Sequence, residues 1–284
     1  MRNEQKSLIP LLDLMSNVLS KTPIDKRQWY ELLKQLSSTD LSQAHLVQHY
    51  ATAESALGIN GIIAIGNGAH SVFKPGDTFS YNNGTVSGIK QWVSGIPHCS
   101  HAVFYLENGD GIYVPNISGA VIDMIETVGM EDTVTGNLTF DQTPAQLIHN
   151  KGHGAGKQVM YQHNYSFITI SLGLATGLFN DVKKYIAQNN INCHYDIKKI
   201  ELNFRVANKL WQDNFAILER NQGCELDLST MYAFNKELLL SVVHLLTEIS
   251  GSYIYKTNTA EHQRYKDALI YSSHRLSFYQ SLVK

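Results

Sequence analysis

The sequence has few cysteines and almost no net charge. Its three cysteines, Cys99, Cys193 and Cys224, lie far apart and are odd in number, so they indicate neither a disulfide framework nor a metal cluster. The formal net charge of −2 and a pI near 6.6 give no reason to expect binding to nucleic acid. A reducing, cytoplasmic location is the expectation.

Long apolar runs and several common motifs are also missing. No stretch of about 18 apolar residues is present, and the N-terminus lacks the pattern of a secretory signal, so no membrane association is predicted. No Gly-x-Gly-x-x-Gly follows a predicted strand, so a dinucleotide site is not expected. His98, Cys99 and His101 have no fourth ligand in view, so no metal site is predicted.

The first part of the chain, residues 1–58, is predicted to be a short N-terminal helical domain. Apolar residues recur at helical spacing in 8–19, 26–36 and 42–57, and Asp25 and Thr39 or Asp40 are suitable caps for the second and third helices. The aromatic residues of these helices and His49 are expected to pack in the core.

Residues 59–150 are predicted to be a β domain. Short apolar strands are expected, separated by Gly- and Asn-rich turns, at 61–66, 84–93, 101–106, 111–115 and 119–125. Because no helical pattern separates them, they favour an antiparallel barrel or sandwich.

Residues 151–284 return to long helical periods, and four helices of such length are typical of a bundle. The predicted helices span 157–179, 194–221, 227–249 and 261–282. The expected fold class is therefore α+β: N-terminal helices, a middle antiparallel β-barrel or sandwich, and a C-terminal four-helix bundle.

Three stretches in this order resemble the acyl-CoA dehydrogenase superfamily. The stretch 88-GIKQWVSG-95 resembles its central strand signature, 129-GMEDTVTGNLTFDQTPAQLI-148 its exit from the β domain, and 251-GSYIYKTNTAEHQRYKDALIYSSH-274 its last helix. Together they cover about 200 residues. The N-terminal helical part is shorter than in typical members, so the chain looks like a shortened, divergent one.

The resemblance implies a flavin cofactor, FMN or FAD, and assigns residues to it. By position, Trp92 would pack near the isoalloxazine ring, Ser94 would hydrogen-bond near its central nitrogen, and Asn67 would face the flavin. A flavin needs such an apolar wall and a few placed polar groups. Taken without the resemblance, the sequence favours a different interpretation, in which Trp92 is a core-facing strand residue and Ser94 a turn former.

The residues at the base positions argue against ordinary dehydrogenation. Arg275 stands where the usual glutamate of acyl-CoA dehydrogenases would fall, and Ser166 is near the alternative position; neither accepts a proton at neutral pH. The sequence looks closer to the flavin-dependent monooxygenase branch, which it matches in Ser94, Asp267 and His274. That resemblance implies two catalytic residues, with Ser94 steadying the flavin and His274 acting on the substrate.

Departures from the family pattern affect how the cofactor would be held. The segment 183–196 lacks the arginine that reaches the pyrophosphate in many dehydrogenases, and the Gly-rich turn before the last helix is reduced to 250-SGSY-253. These losses favour FMN or loosely held reduced flavin over tightly bound FAD. They are also compatible with a degenerate member that binds no flavin.

Three hypotheses about function follow from the resemblance. The first is a two-component monooxygenase that uses reduced flavin and O₂ on a small organic substrate, with a separate flavin reductase as partner. The second is an acyl-CoA dehydrogenase or oxidase with a relocated base, and the third is a non-catalytic member of the fold. A homodimer or homotetramer is expected, because family members pair through the bundle.

Overall fold

The computed structural model describes residues 25–57, 67–149, 154–220, 227–255 and 259–273. Within them, two helices precede two β-sheets and further helices follow, so the predicted α+β class is confirmed. The helices are α1 (Lys26–Ser37), α2 (Leu41–Ala56), α3 (Gly154–Asn189), α4 (His194–Glu219), α5 (Leu228–Ser250) and α6 (Ala260–Ser273). The strands are β1 (Gly68–Ser71), β2 (Ser80–Asn82), β3 (Thr85–Val93), β4 (His101–Tyr105), β5 (Gly111–Val114), β6 (Val121–Met124), β7 (Gly136–Pro144) and β8 (Gln146–His149). The predicted helix at 8–19 and strand at 61–66 lie outside the described residues.

Helices α1 and α2 begin at the predicted caps. The Asp25 carboxylate accepts a hydrogen bond from the Gln28 N–H at 2.8 Å, and Asp40 accepts one from the Gln43 N–H at 2.9 Å. Each carboxylate satisfies an N–H that has no partner within the helix, which fixes where the helix starts.

The strands form a sandwich of two four-stranded sheets, ordered β1-β4-β5-β8 and β2-β3-β7-β6. Phe79, Phe104 and Phe140 meet between the sheets, with ring centroids 5.3 to 5.9 Å apart. The sandwich alternative of the prediction is confirmed, and no closed barrel forms within the described residues.

One strand pairing differs from the antiparallel prediction. Strand β1 pairs with β4 in parallel, in the register Gly68 to His101. The chain between them passes through β2 and β3 of the other sheet and then returns, and a parallel pair requires such a long crossover.

The bundle is built around α3, which packs against the other described helices. Its middle is buried on every side. The Trp211 indole N–H of α4 donates to Thr169 Oγ1 at 2.8 Å, and the Tyr165 hydroxyl donates to the Trp211 carbonyl at 2.7 Å. None of the helices in the described ranges is both long and apolar enough to cross a membrane.

The contact between α1 and α3 depends on two glycines of α3. A Cβ at Gly173 would lie 2.2 Å from the Lys34 carbonyl oxygen, and one at Gly177 would lie 2.1 Å from the Ser38 carbonyl oxygen. Both obstacles are backbone atoms, which cannot rotate away. The glycines therefore permit the close approach of the N-terminal helices to the bundle.

We expect Gly177→Ala to destabilise the protein by about 1–3 kcal/mol, because overpacking outweighs the gain of up to about 1 kcal/mol in helix propensity. The measurement is the urea midpoint of unfolding. Gly119→Ala is the control, since a Cβ there meets nothing within 4 Å. A Gly177→Ala protein as stable as the control would show that α1 does not approach α3 this closely.

Candidate functional site

A cavity of about 620 Å³ lies where the N-terminal helices, the sandwich and the bundle meet. Its wall combines an exposed mouth with a buried inner end. The mouth is lined by Lys74, Pro75, Trp92, Glu126, Thr127 and Val128. The inner end is lined by His45, His49, Ser71, Ser94, Thr133, Thr135, His163, Asn164, Phe167 and Tyr271.

Trp92 stands at the mouth in a strained conformation. Its φ is 54°, in the left-handed region that a bulky residue rarely adopts, and the β3–β7 register shifts between Lys90 and Val93. The strained backbone is held on both sides, since its N–H donates to Asn137 Oδ1 at 3.2 Å and its carbonyl accepts from Lys74 Nζ at 3.0 Å. This bulge leaves the indole 47% exposed beside the cavity, and strain maintained in this way is typical of functional sites.

Ser94 lies two residues further on, buried in the wall. Its hydroxyl is 3.1 Å from Thr135 Oγ1 and 3.4 Å from His45 Nε2. Thr133 donates to the Met130 carbonyl at 2.7 Å and is 2.9 Å from Thr135. Because each hydroxyl has one proton and that of Thr133 is used, the Thr135 hydroxyl donates to Thr133 and the Ser94 hydroxyl donates to Thr135. The Ser94 oxygen is then left as an acceptor on its His45 side.

Four buried histidines surround the inner end, namely His45, His49, His70 and His163. Their rings form one cluster, with centroids 4.3 Å apart for His45 and His49 and 4.6 Å apart for His70 and His163. Burial lowers the pKa of His70 and of His163 well below the usual value, and the neighbouring histidines lower it further. Both are therefore neutral at pH 7. Among the described residues no group of three or more His, Cys, Asp and Glu is arranged to hold a metal ion.

The charged groups of the lining lie toward the mouth. Burial, together with repulsion from Lys90, lowers the pKa of Lys74 to about 8. Glu126 is the one carboxylate that lines the cavity in the described part of the chain, and it is exposed. The buried Asp267 instead accepts hydrogen bonds from the Met130 N–H at 2.7 Å and from Gln263 Nε2 at 2.9 Å. The inner end thus has no carboxylate among the described residues.

The predicted site residues are partly brought together. Trp92 and Ser94 both line the cavity. Asn67 does not; its Oδ1 accepts a hydrogen bond from the Ser100 hydroxyl at 2.9 Å. His274 and Arg275 lie outside the described residues. The Ser166 hydroxyl donates to the carbonyl of Gln162, within its own helix, at 2.8 Å.

The histidines of the lining were not predicted as site residues from the sequence. His45 and His49 are four residues apart on a helix that was predicted, and this spacing places both on one face. His49 was assigned to core packing; it is buried, and it also lines the cavity. His163 comes from α3, and only the packing of α3 against α2 brings it near them.

Solved structures that resemble this chain share its whole architecture. FMN-bound TdsC from Paenibacillus sp. A11-2 is 13% identical, with a TM-score of 0.75 over 94% of this chain and 85% of that one. Butyryl-CoA dehydrogenase from Megasphaera elsdenii is 13% identical, with a TM-score of 0.70 over 95% and 94%. The 3-HSA hydroxylase from Rhodococcus sp. RHA1 is 14% identical, with a TM-score of 0.64 over 94% and 90%.

At these identities the likeness shows the fold. The chain has the acyl-CoA dehydrogenase fold, so the resemblance drawn from its three sequence stretches is confirmed at that level. No family model matches the sequence, and no curated protein matches it.

Proposed function

We propose that this chain of acyl-CoA dehydrogenase fold binds a flavin in the cavity and acts as a flavin-dependent oxidoreductase, most specifically as a two-component monooxygenase on a small organic substrate. The observation that carries the proposal is Trp92, held in a strained bulge at the cavity mouth with Ser94 in the wall beside it. TdsC, whose structure is described as FMN-bound, has the same fold.

The residues present fit a flavin. A cavity of about 620 Å³ is within the range of about 300–1,000 Å³ that is usual for small-molecule sites. The mouth offers an indole face for a planar ring and one ammonium group, on Lys74, for a phosphate. Ser94 and Thr135 add hydroxyl groups in the wall.

A bound reduced flavin would supply the electrons that activate O₂. In this proposal Trp92 covers one face of the ring, and the Ser94 hydroxyl hydrogen-bonds to its polar edge. His45, 3.4 Å from Ser94, holds a proton at Nε2 and directs it at the Ser94 oxygen. The buried inner end excludes bulk water, and His274 remains a proposed partner of the substrate.

The test is equilibrium titration of the purified protein with oxidised and reduced FMN and FAD without oxygen. We expect binding, with FMN at least as tight as FAD because Lys74 is the one cation that lines the cavity in the described residues. A candidate substrate and ¹⁸O₂ are then admitted, and ¹⁸O in the product identifies a monooxygenase. A chain that binds neither flavin in either redox state contradicts the proposal and favours a non-catalytic member of the fold.

Trp92→Ala is expected to weaken flavin affinity about 10- to 100-fold, because loss of stacking on an aromatic ring costs about 1–3 kcal/mol. Trp92→Phe is the conservative control and should retain most of the affinity. Val121→Ala removes another exposed apolar side chain, on β6, and should change nothing. Equal affinities for all three variants would show that the indole does not touch the flavin.

Dehydrogenation of an acyl-CoA thioester is the second candidate, because butyryl-CoA dehydrogenase shares the fold. The described inner end offers no carboxylate to take the α-proton, which disfavours it. Bleaching of the bound oxidised flavin by butyryl-CoA without oxygen would reverse this preference.

The monooxygenase proposal also implies partners. A separate reductase would supply the reduced flavin, since the sequence has no dinucleotide fingerprint. Self-association into a dimer or tetramer is a further proposal, checked by sedimentation with and without flavin.

A further inference from the structure

We infer that the inner end of the cavity is a subsite for a hydrogen-bond-accepting oxygen on an aromatic substrate, held by Asn164 and His163. The inference deepens the proposed function and rests on it, because it assigns to the substrate the part of the inner end that a flavin at Trp92 and Ser94 does not occupy. Both donors lie on α3, one after the other along the chain, and both line the cavity.

Asn164 carries the first part of the argument. The residue is 4% exposed, and its Nδ2 is fully buried with no hydrogen-bond partner among the described residues. A buried amide that lacks a partner keeps the uncompensated cost of its desolvation. Asn164 also lines the cavity, so an acceptor oxygen there, met by a turn of the side chain, would remove this cost.

The tautomer of His163 makes it a second donor. The Thr52 hydroxyl donates to the Gln48 carbonyl at 2.9 Å, so the Thr52 oxygen accepts from Gln48 Nε2 at 2.8 Å. The other proton of that amide is directed at His163 Nδ1, also at 2.8 Å. His163 is neutral, so it carries its single proton on Nε2 and offers only a donor to a ligand.

The walls around these donors suit a flat, uncharged ring. Phe167 and Tyr271 stack with centroids 5.7 Å apart and planes 12° apart, and both line the cavity. Aromatic walls favour an aromatic ligand through edge and face contacts. Because the described inner end lacks carboxylates, a cation finds no counter-ion there, whereas an acceptor oxygen finds two donors.

The experiment compares small fluorinated probes by ¹⁹F NMR titration of the flavin-loaded protein. The probes are 4-fluorophenol, 4-fluorobenzaldehyde, 4-fluoroaniline and fluorobenzene. We expect the phenol or the aldehyde to bind at least about 10-fold more tightly than fluorobenzene. Whichever of the two binds better distinguishes a hydroxyl from a carbonyl oxygen as the group that is recognised.

Two substitutions of Asn164 test the assignment. Asn164→Leu keeps the approximate shape and should abolish the preference for the oxygenated probe while leaving fluorobenzene affinity unchanged. Asn164→Asp replaces the donor with an acceptor and should shift the preference toward 4-fluoroaniline. Asn189→Asp makes the same charge change at the C-terminal end of α3, where Asn189 Nδ2 donates to the Tyr185 carbonyl, and should alter nothing.

The outcomes separate this inference from the proposed function. Equal binding of the phenol, the aldehyde and fluorobenzene by the flavin-loaded protein, or an unchanged preference in Asn164→Leu, overturns the subsite. Flavin affinity is measured on every variant, so a misfolded protein is recognised by its loss. Absence of flavin binding in the unaltered protein contradicts the proposed function instead, whatever the probes do.

Discussion

Asp77→Ala is expected to destabilise the protein by about 3–5 kcal/mol, because it leaves a buried lysine without its counter-ion. The Lys90 and Asp77 side chains are 0% and 1% exposed and form an ion pair. Lys90 Nζ also donates to the Val72 carbonyl at 2.6 Å, which alone cannot balance the charge. Burial already lowers the pKa of Lys90 while Asp77 opposes the shift, so removal of the carboxylate removes the main support of the charged form.

The measurement is urea unfolding, with two comparison proteins. Asp213→Ala breaks the exposed pair with Lys209, whose side chains are 53% and 71% exposed, and should cost less than about 1 kcal/mol. The double variant Asp77→Leu with Lys90→Met removes both charges and should recover much of the lost stability. A single variant no less stable than Asp213→Ala would show that Lys90 is not buried as an ion.

The same substitution is expected to disturb the candidate site. Asp77 also accepts hydrogen bonds from the backbone N–H groups of Lys74 and Gln91, each at 2.8 Å. These two residues flank the Trp92 bulge, since Lys74 binds its carbonyl and Gln91 precedes it. Flavin affinity should therefore fall in Asp77→Ala at denaturant concentrations where the protein is still folded.

Local sequence signals were sufficient where an element depends mainly on its own residues. The caps at Asp25 and Asp40 and the apolar periods of the long helices predicted helix positions to within a few residues for α1, α2, α4 and α5. Strand β3 was predicted from a short apolar stretch that follows a Gly- and Asn-rich turn, and it starts one residue later than expected. These features depend on neighbours a few positions away, which the sequence displays directly.

Strand β7 shows where local signals failed. The stretch Gly136–Pro144 is rich in polar residues and was taken only as the exit from the β domain, yet it pairs with both β3 and β6. Gly136, Leu138 and Phe140 are its buried positions, while Thr139 and Asp141 face outward. A strand that is buried on only one face carries few apolar residues, so its sequence pattern is a weak indication of a strand by itself.

The residues of the candidate site were likewise predictable only where they lie close together along the chain. Trp92 and Ser94 are two residues apart, so one motif predicted that they lie together. His49 and His163 meet, with ring centroids 5.6 Å apart, only because α2 packs against α3, and no local pattern contains that information. The left-handed φ of Trp92 also could not be predicted from the sequence, because it depends on hydrogen bonds to Lys74 and Asn137.

Acidification below pH 6.5 is expected to destabilise the protein steeply through His70 and His163. Their pKa values in the folded chain are lowered well below 6.5, whereas the unfolded chain keeps ordinary values. Between the folded and the unfolded pKa values, the unfolded state binds protons that the folded state does not bind. The full stability is therefore present above pH 6.5 and is lost as the pH falls. Each histidine is expected to lower the free energy of unfolding by up to about 2 kcal/mol between pH 7 and pH 5.

A variant pair isolates this effect from the titration of other groups. His70→Phe keeps an aromatic ring against His163 and Tyr105 and removes one titrating group, so it should flatten the loss of stability by up to about 2 kcal/mol over that range. His244→Gln removes an exposed histidine and should leave the slope unchanged. Urea midpoints at pH 7 and pH 5 give the comparison. If His70→Phe loses as much stability as the unaltered protein, His70 is protonated in the folded state, and the neutral inner end inferred for substrate binding must be revised.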